Sequence, residues 1–221
     1  MNVKSLIKNI VNQFKYSTGI DYNAEKYWKN RHKKYGLDMR GVGNNGLTLE
    51  KNIEQYEEAK NIFIGLCKSQ HIKFKDTKVL DIGCGIGYYS NIFLENGTTD
   101  YTGIDITEVM FKELKNKYSH YLFKKLDITK DLCNGKYDLI LMIDVTQHII
   151  AIDKFSFAMQ NIRTCLSDSG IFIVTSWLDP NIRKEFYEVS RPIEIYKAAF
   201  PGYKFSDPIP FRDKYIFTIK K

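Results

Sequence analysis

From residue 78 to residue 176 the chain alternates short apolar runs with stretches of helical periodicity. The apolar runs cover 78–82, 100–104, 121–125, 137–143 and 170–176, and helical patterns fill 88–94, 108–118 and 152–166. Runs of Val, Ile and Leu without polar alternation suit strands buried on both faces, as in a parallel sheet covered by helices on each side. The tail breaks this pattern. Residues 203–209 and 214–220 read as strands, and the four residues between them, Pro210 included, are too few for a crossover helix. These two strands should therefore pair antiparallel as a hairpin. The expected fold is doubly wound α/β, with a mostly parallel seven-stranded sheet, helices on both faces and a C-terminal antiparallel hairpin.

Ahead of this core, Val3, Leu6, Ile7, Ile10, Val11 and Phe14 recur at helical spacing and form one apolar stripe. That helix is expected to pack on the domain or cover the active site, with docking on a membrane surface through its lysines as the alternative. Residues up to 46 then read as polar and irregular, punctuated by Gly36, Gly41, Gly43 and Gly46. A further helix is expected over 48–70, with Thr48 as its N-cap. This organisation suggests residues 1–70 as an N-terminal helical and loop extension capping the active site, and 71–221 as the core. Lys8, Asn9, Asn12 and Gln13 interrupt the first apolar stretch, which argues against a signal peptide, and no run of about 18 apolar residues occurs. Cys67, Cys84, Cys133 and Cys165 lie far apart with no Cys-x-x-Cys pair, which points to a reducing compartment rather than a zinc module or disulfide framework. A cytoplasmic location is expected.

Composition changes the picture in one respect. Of 221 residues 43% are hydrophobic, enough for a packed core, and the formal net charge is +7. A basic balance favours anionic partners such as a phosphorylated metabolite, an acidic glycan or nucleic acid. The lysines are scattered, however, without a dense basic tract, so nucleic acid is disfavoured without being excluded.

The chemistry concentrates after the first strand. Asp81-Ile82-Gly83-Cys84-Gly85-Ile86-Gly87 reads as strand, tight glycine turn and helix start. Glycines there permit positive φ and let a ligand approach the backbone, and the helix N-terminus offers unpaired N–H groups. A dinucleotide turn would place its third glycine where this chain has Tyr88, so a pyrophosphate ligand is disfavoured. The segment resembles the first motif of the class I S-adenosylmethionine-dependent methyltransferases, of the small-molecule type. Tyr101-Thr102-Gly103-Ile104-Asp105-Ile106 is similar to the family's second-strand motif, and Leu126-Asp127-Ile128 to its third. Residues 137–148, ending Asp144-Val145-Thr146-Gln147-His148, resemble its fourth.

The resemblance implies a Rossmann-like methyltransferase fold and S-adenosyl-L-methionine as cofactor, with S-adenosyl-L-homocysteine as product. It implies cofactor contacts from Asp81, Gly83, Cys84, Gly85, Gly87, Asp105, Ile106, Asp127, Ile128 and Asp144. Among these, Asp81 would take the cofactor's amino group directly or through the turn. Asp105 would hold the ribose hydroxyls, where two donors to one carboxylate make charge-assisted bonds, and Asp127 the adenine.

Methyl transfer from a sulfonium needs alignment and, for a hydroxyl acceptor, a base. His148 follows the fourth strand at the sheet's carboxyl edge and is the candidate base. The sequence Asp144-Val145-Thr146-Gln147 lacks the prolines of many methyltransferases that modify amino nitrogens, and no Asp-Asn pair suggests a metal. Candidate acceptor-binding residues are Tyr27, Trp28, Arg40, Asn44, Gln147, Trp177 and Arg183, with Arg191 close behind. Arg40 is placed to grip a carboxylate or phosphate. The expected activity is O-methylation of a small, polar and anionic acceptor, such as a sugar, a nucleotide-linked metabolite or a phosphate- or carboxylate-bearing one, by a monomer or homodimer. RNA methylation and a non-catalytic cofactor-binding scaffold are the alternatives.

Overall fold

The computed structural model describes residues 11–19, 21–44, 46–180 and 182–221. Helices α1 (Ala24–Tyr35) and α2 (Leu49–Ser69) precede the sheet. There follow β1 (Val79–Ile82), α3 (Tyr88–Glu95), β2 (Tyr101–Asp105), α4 (Phe111–Lys117), β3 (Leu122–Lys125), β4 (Tyr137–Met142), α5 (Ile152–Cys165) and β5 (Leu166–Ser176). The C-terminal part comprises β6 (Arg183–Glu185), β7 (Glu188–Val189), α6 (Ile193–Ala199), β8 (Lys204–Phe205), β9 (Ile209–Phe211) and β10 (Lys214–Lys220). Strand order in the main sheet is β3-β2-β1-β4-β5-β10-β8, with β9 also on β10. Strands β1 to β5 pair parallel, and β10 runs antiparallel to β5, β8 and β9.

Alternate residues of the central strands feed two cores. Val79, Leu139, Leu141 and Ile173 point to the side covered by α2, α3 and α4. Leu80, Ile82, Ile140, Met142, Phe172 and Val174 meet α5 and α6 on the other. Helices on both sides explain why these strands carry no polar alternation. In the first core, Ala59, Phe63, Leu66 and Cys67 of α2 pack with Val79 and Ile92. Residue 70 therefore does not separate two hydrophobic cores.

Two local expectations are corrected, and a third is only partly described. The tail strand expected over 203–209 is split into β8 and β9, and Pro210 lies inside β9 rather than in the turn. Pro210 pairs opposite Tyr215 at the sheet edge, where a residue without an N–H is tolerated. The hairpin turn is Arg212-Asp213, with Arg212 at φ 55°. Second, residues 24–35 are helical, not irregular. Asn23 accepts a hydrogen bond from the Lys26 N–H as N-cap, and the helix buries only Tyr27 and His32, too narrow a stripe to register as amphipathic. Third, the expected N-terminal helix lies largely outside the described residues. Residues 11–16 are helical, but Val11 and Phe14 of its stripe are exposed. Among the described residues no helix is long and apolar enough to cross a membrane.

Candidate active site

The turn after β1 is shaped by glycine. Gly83 and Gly85 have φ of 76° and 54°, and a Cβ at Gly83 would lie 2.4 Å from Val145 Cγ2. One at Gly85 would lie 2.9 Å from Val42 Cγ1. The turn is tied to β2, since the Gly83 and Cys84 N–H groups donate to the Ile104 carbonyl at 2.8 and 3.0 Å. A cavity of about 430 Å³ opens above it, within the ~300–1,000 Å³ common for small-molecule and cofactor sites. Gly83, Cys84, Gly85, Asp105, Ile106, Asp127, Ile128, Asp144 and His148 line it. Helix α1 supplies Trp28 and His32 to its wall.

Asp105 ends β2 with its carboxylate buried. Oδ2 accepts from the Gly85 N–H at 3.1 Å and Oδ1 from the Thr107 N–H at 2.9 Å. Burial raises its pKa, and neighbouring His32 opposes that rise. His32 Nδ1 is 3.1 Å from Thr107 Oγ1, and burial holds the imidazole below its usual pKa. Asp127, on the following strand edge, accepts from the N–H and hydroxyl of Thr129 at 3.0 and 2.7 Å.

A second cavity of about 280 Å³ adjoins the first, with Trp28, Val42, Asp144 and His148 on the walls of both. Asn44, Gln147 and Trp177 line it together with Arg31, Glu188, Arg212 and Lys214. Asp144 stands at φ 60°, its N–H donating to Thr175 Oγ1 at 2.8 Å. Its carboxylate pairs with Arg212 and, at 3.3 Å, with Lys214.

His148 occupies a short turn, 146–148, between β4 and α5. Its Nδ1 is 3.1 Å from the Tyr187 carbonyl oxygen. A carbonyl only accepts, so Nδ1 carries the proton and Nε2 keeps its lone pair. The Gln147 amide N–H approaches Nε2 at 3.3 Å, and Trp28 and Tyr187 flank the ring. Desolvation pushes the imidazole down to about 3. At neutral pH the ring is therefore uncharged. Arg191, 2% exposed, holds the turn from beneath. Its guanidinium donates to the carbonyls of Thr146 and Ile150 at 3.0 and 3.1 Å and to that of Ile149. It is a buried scaffold cation and lines neither cavity.

Five further expected residues reach neither of these cavities. Asp81 faces the sheet interior and accepts from the Tyr101 hydroxyl at 2.5 Å, and burial raises its carboxyl to about 7. Any action on a ligand passes through the turn. Gly87, at φ 79°, starts α3, and a Cβ there would meet Leu114 Cδ2 at 2.5 Å. Tyr27 packs among Tyr16, Tyr22 and Phe186. Arg40 lies off both cavities, its guanidinium folded back on Asp38 two residues away. Arg183 donates within its own hairpin to the carbonyls of Glu185 and Phe186. Sequence reasoning missed Glu188, Arg212 and Lys214, which reach the site from C-terminal segments without a motif.

Residues 80–172 match the family model described as a methyltransferase domain. The chain is 26% identical over 186 residues to a sphingolipid C9-methyltransferase of Candida albicans, covering 75% of this chain and 33% of that protein. It is 32% identical over 117 residues to a highly reducing polyketide synthase of Gibberella fujikuroi, covering 46% of this chain and 4% of the synthase. The chain thus spans a third or less of these two relatives. Its fold is shared with magnesium protoporphyrin IX methyltransferase from Synechocystis PCC 6803, with S-adenosylmethionine bound in that crystal structure. The TM-score is 0.68 at 16% identity, over 92% of this chain and 100% of that one. The matched segment carries a methyltransferase domain, and the strand order and glycine turn are those of the Rossmann-like fold of S-adenosylmethionine-dependent methyltransferases.

Proposed function

We propose that the protein binds S-adenosylmethionine in the larger cavity and transfers its methyl group to a hydroxyl of a small polar acceptor in the smaller one. The observation that carries this reading is the shared wall: the two cavities meet at Trp28, Val42, Asp144 and His148. The residues fit the cofactor. Cβ-free Gly83 and Gly85 leave the backbone approachable, and Asp105, Asp127 and Ile128 line the same cavity, where carboxylates can receive ribose hydroxyls and the adenine amino group. When bound, the cofactor supplies a methyl group on a sulfonium that leaves as a neutral thioether.

The chain's own residues do the rest. Asp105 orients the cofactor, and its two backbone donors keep the carboxylate fixed before the ligand arrives. Trp28 and Val42 exclude water from the junction. His148 offers Nε2 to the acceptor hydroxyl, which takes the place of the Gln147 amide N–H there, while the Tyr187 carbonyl holds Nδ1. A weak base suffices, because the hydroxyl proton becomes strongly acidic as the carbon–oxygen bond forms. Asn44, Gln147 and Trp177 shape the acceptor pocket. Helix α1 and the loop from Val42 to Asn44 act as its cap.

Calorimetry with S-adenosylhomocysteine tests the cofactor half. Binding is expected, and Asp105→Ala should weaken it at least a hundredfold. Two charge-assisted hydrogen bonds at about 1.5–3 kcal/mol each set that scale. Unchanged affinity in a folded variant would refute the assignment. Product analysis with labelled cofactor over hydroxyl-bearing metabolites tests the acceptor half. Transfer only to nitrogen or carbon would replace the hydroxyl reading.

A further inference from the structure

We propose that the smaller cavity selects an acceptor bearing a positively charged amino group, and that Glu188 is the residue that recognises it. This rests on the reading of that cavity as the acceptor pocket, and it departs from the anionic acceptor suggested by the net charge of the whole chain.

The local charge balance differs from the global one. Three cations line the pocket, Arg31, Arg212 and Lys214, against four carboxylates, Asp144, Asp213, Glu185 and Glu188. The cations are engaged. Arg212 and Lys214 both pair with Asp144, and Lys214 also reaches Asp213 at 2.8 Å. Arg31 donates to the carbonyls of Arg40 and Gly43 and lies over the Trp28 ring. A phosphate or carboxylate ligand would have to displace these partners.

The Nε atoms of Arg31 and Arg212 lack hydrogen-bond partners, but the open side chains without an ion pair or a cation of their own are acceptors. Glu188 is half-buried on β7 and makes no side-chain hydrogen bond or ion pair among the described residues. Desolvation raises its pKa, and nearby Glu185 and Asp213 add to the rise against Lys214 and Arg31. A carboxylate removed from water without a partner is costly, and a ligand cation removes that cost. Gln147 provides an independent second observation. The residue is 4% exposed and lines the same pocket, its amide nitrogen lies 3.3 Å from His148 Nε2, and its Oε1 has no partner. An ammonium group carries three donors and no acceptor, which complements this set. The Tyr187 carbonyl that fixes His148 belongs to the peptide bond leading into Glu188. One hairpin thus places the recognition carboxylate and the imidazole around the same ligand. The amino group is the handle, and a separate hydroxyl meets Nε2.

The test uses the full chain saturated with S-adenosylhomocysteine, at pH 6.5 and low salt. Three probes on one scaffold, glucosamine, glucose and glucose 6-phosphate, are titrated by calorimetry. Glucosamine should bind at least tenfold tighter than the other two. Glu188→Gln should erase that advantage while leaving S-adenosylhomocysteine affinity unchanged, since Glu188 does not line the cofactor cavity. Homocysteine-product binding also reports that the variant is folded, and Glu188→Ala serves as a second variant. The proposal is overturned if glucose 6-phosphate binds as tightly as glucosamine, if glucosamine does not bind, or if both variants keep its advantage. Failure of S-adenosylhomocysteine to bind the unaltered chain would instead refute the cofactor reading above.

Discussion

His148 shows how environment sets the chemistry of one side chain. Its ring is desolvated between Trp28 and Tyr187, and Arg31 and Lys214 add positive charge nearby, so protonation is opposed from several directions. The Tyr187 carbonyl opposes this, but desolvation is larger, and the group falls to about 3. The folded pKa lies below the unfolded one near 6.5, so the unfolded chain binds more protons between these values. Stability should therefore fall as pH drops from about 6.5 toward 3, and His148→Gln should flatten that part of the curve. Urea denaturation across pH 4–8 measures it. Equal slopes in both proteins would show that the imidazole titrates normally. A His148-dependent limb in the pH–rate profile near 6.5 is not expected. From its position after the fourth strand His148 was legible as a candidate, but its pKa was not, because the groups that surround it come from α1, the turn between β6 and β7, and β10.

The turn 146–150 and the β6–β7 hairpin behave as one assembly. Arg191, just after the hairpin, collects three carbonyls of the turn, and the Tyr22 hydroxyl donates to a fourth, that of His148, at 3.1 Å. Burying a guanidinium without a carboxylate lowers even its pKa, to about 10. Its return is that a bend with no ladder partners keeps its oxygens satisfied. Arg191→Met would leave those oxygens buried and unpaired and should destabilise the fold by about 3 kcal/mol, with Arg191→Lys recovering part. Chemical denaturation reads the difference, and a change below roughly 0.5 kcal/mol would mean the carbonyls find other donors. Most elements of the central sheet were readable because buried parallel strands are uniformly apolar. Helix α1, the β6–β7 hairpin and α6 were not. Their sequences are short or polar, and they are held by distant aromatics, such as Tyr16, Tyr22 and Tyr27 against Phe186.

For the molecule as a whole, the two cavities join segments that are far apart in the chain: α1, the loop at Val42, the strand ends of β1, β2 and β4, the β6–β7 hairpin and the Arg212-Asp213 turn. A ligand filling the larger cavity contacts α1 and the sheet together and binds only the folded state. At a hundredfold excess over Kd it should add about 2.7 kcal/mol. For a chain of this size that corresponds to a Tm increase of roughly 5–10 °C with S-adenosylmethionine, readable by differential scanning fluorimetry. Absence of a shift at saturating ligand would contradict a site built from these segments.

Local pattern alone settled the order of strands and helices from residue 78 to 176 and the glycine turn, while the acids at the strand tips were singled out by the resemblance to a known family. The order and the turn follow from backbone sterics and burial, which act on neighbours in sequence. Tertiary packing decided which of those acids meets solvent-filled space. It turned Asp81 inward, tied Arg40 to Asp38 and brought Glu188, Arg212 and Lys214 beside His148. Charge and hydrogen bonding act through space, so the sign of a pocket depends on which distant side chains face it, and a basic chain can enclose an acidic one.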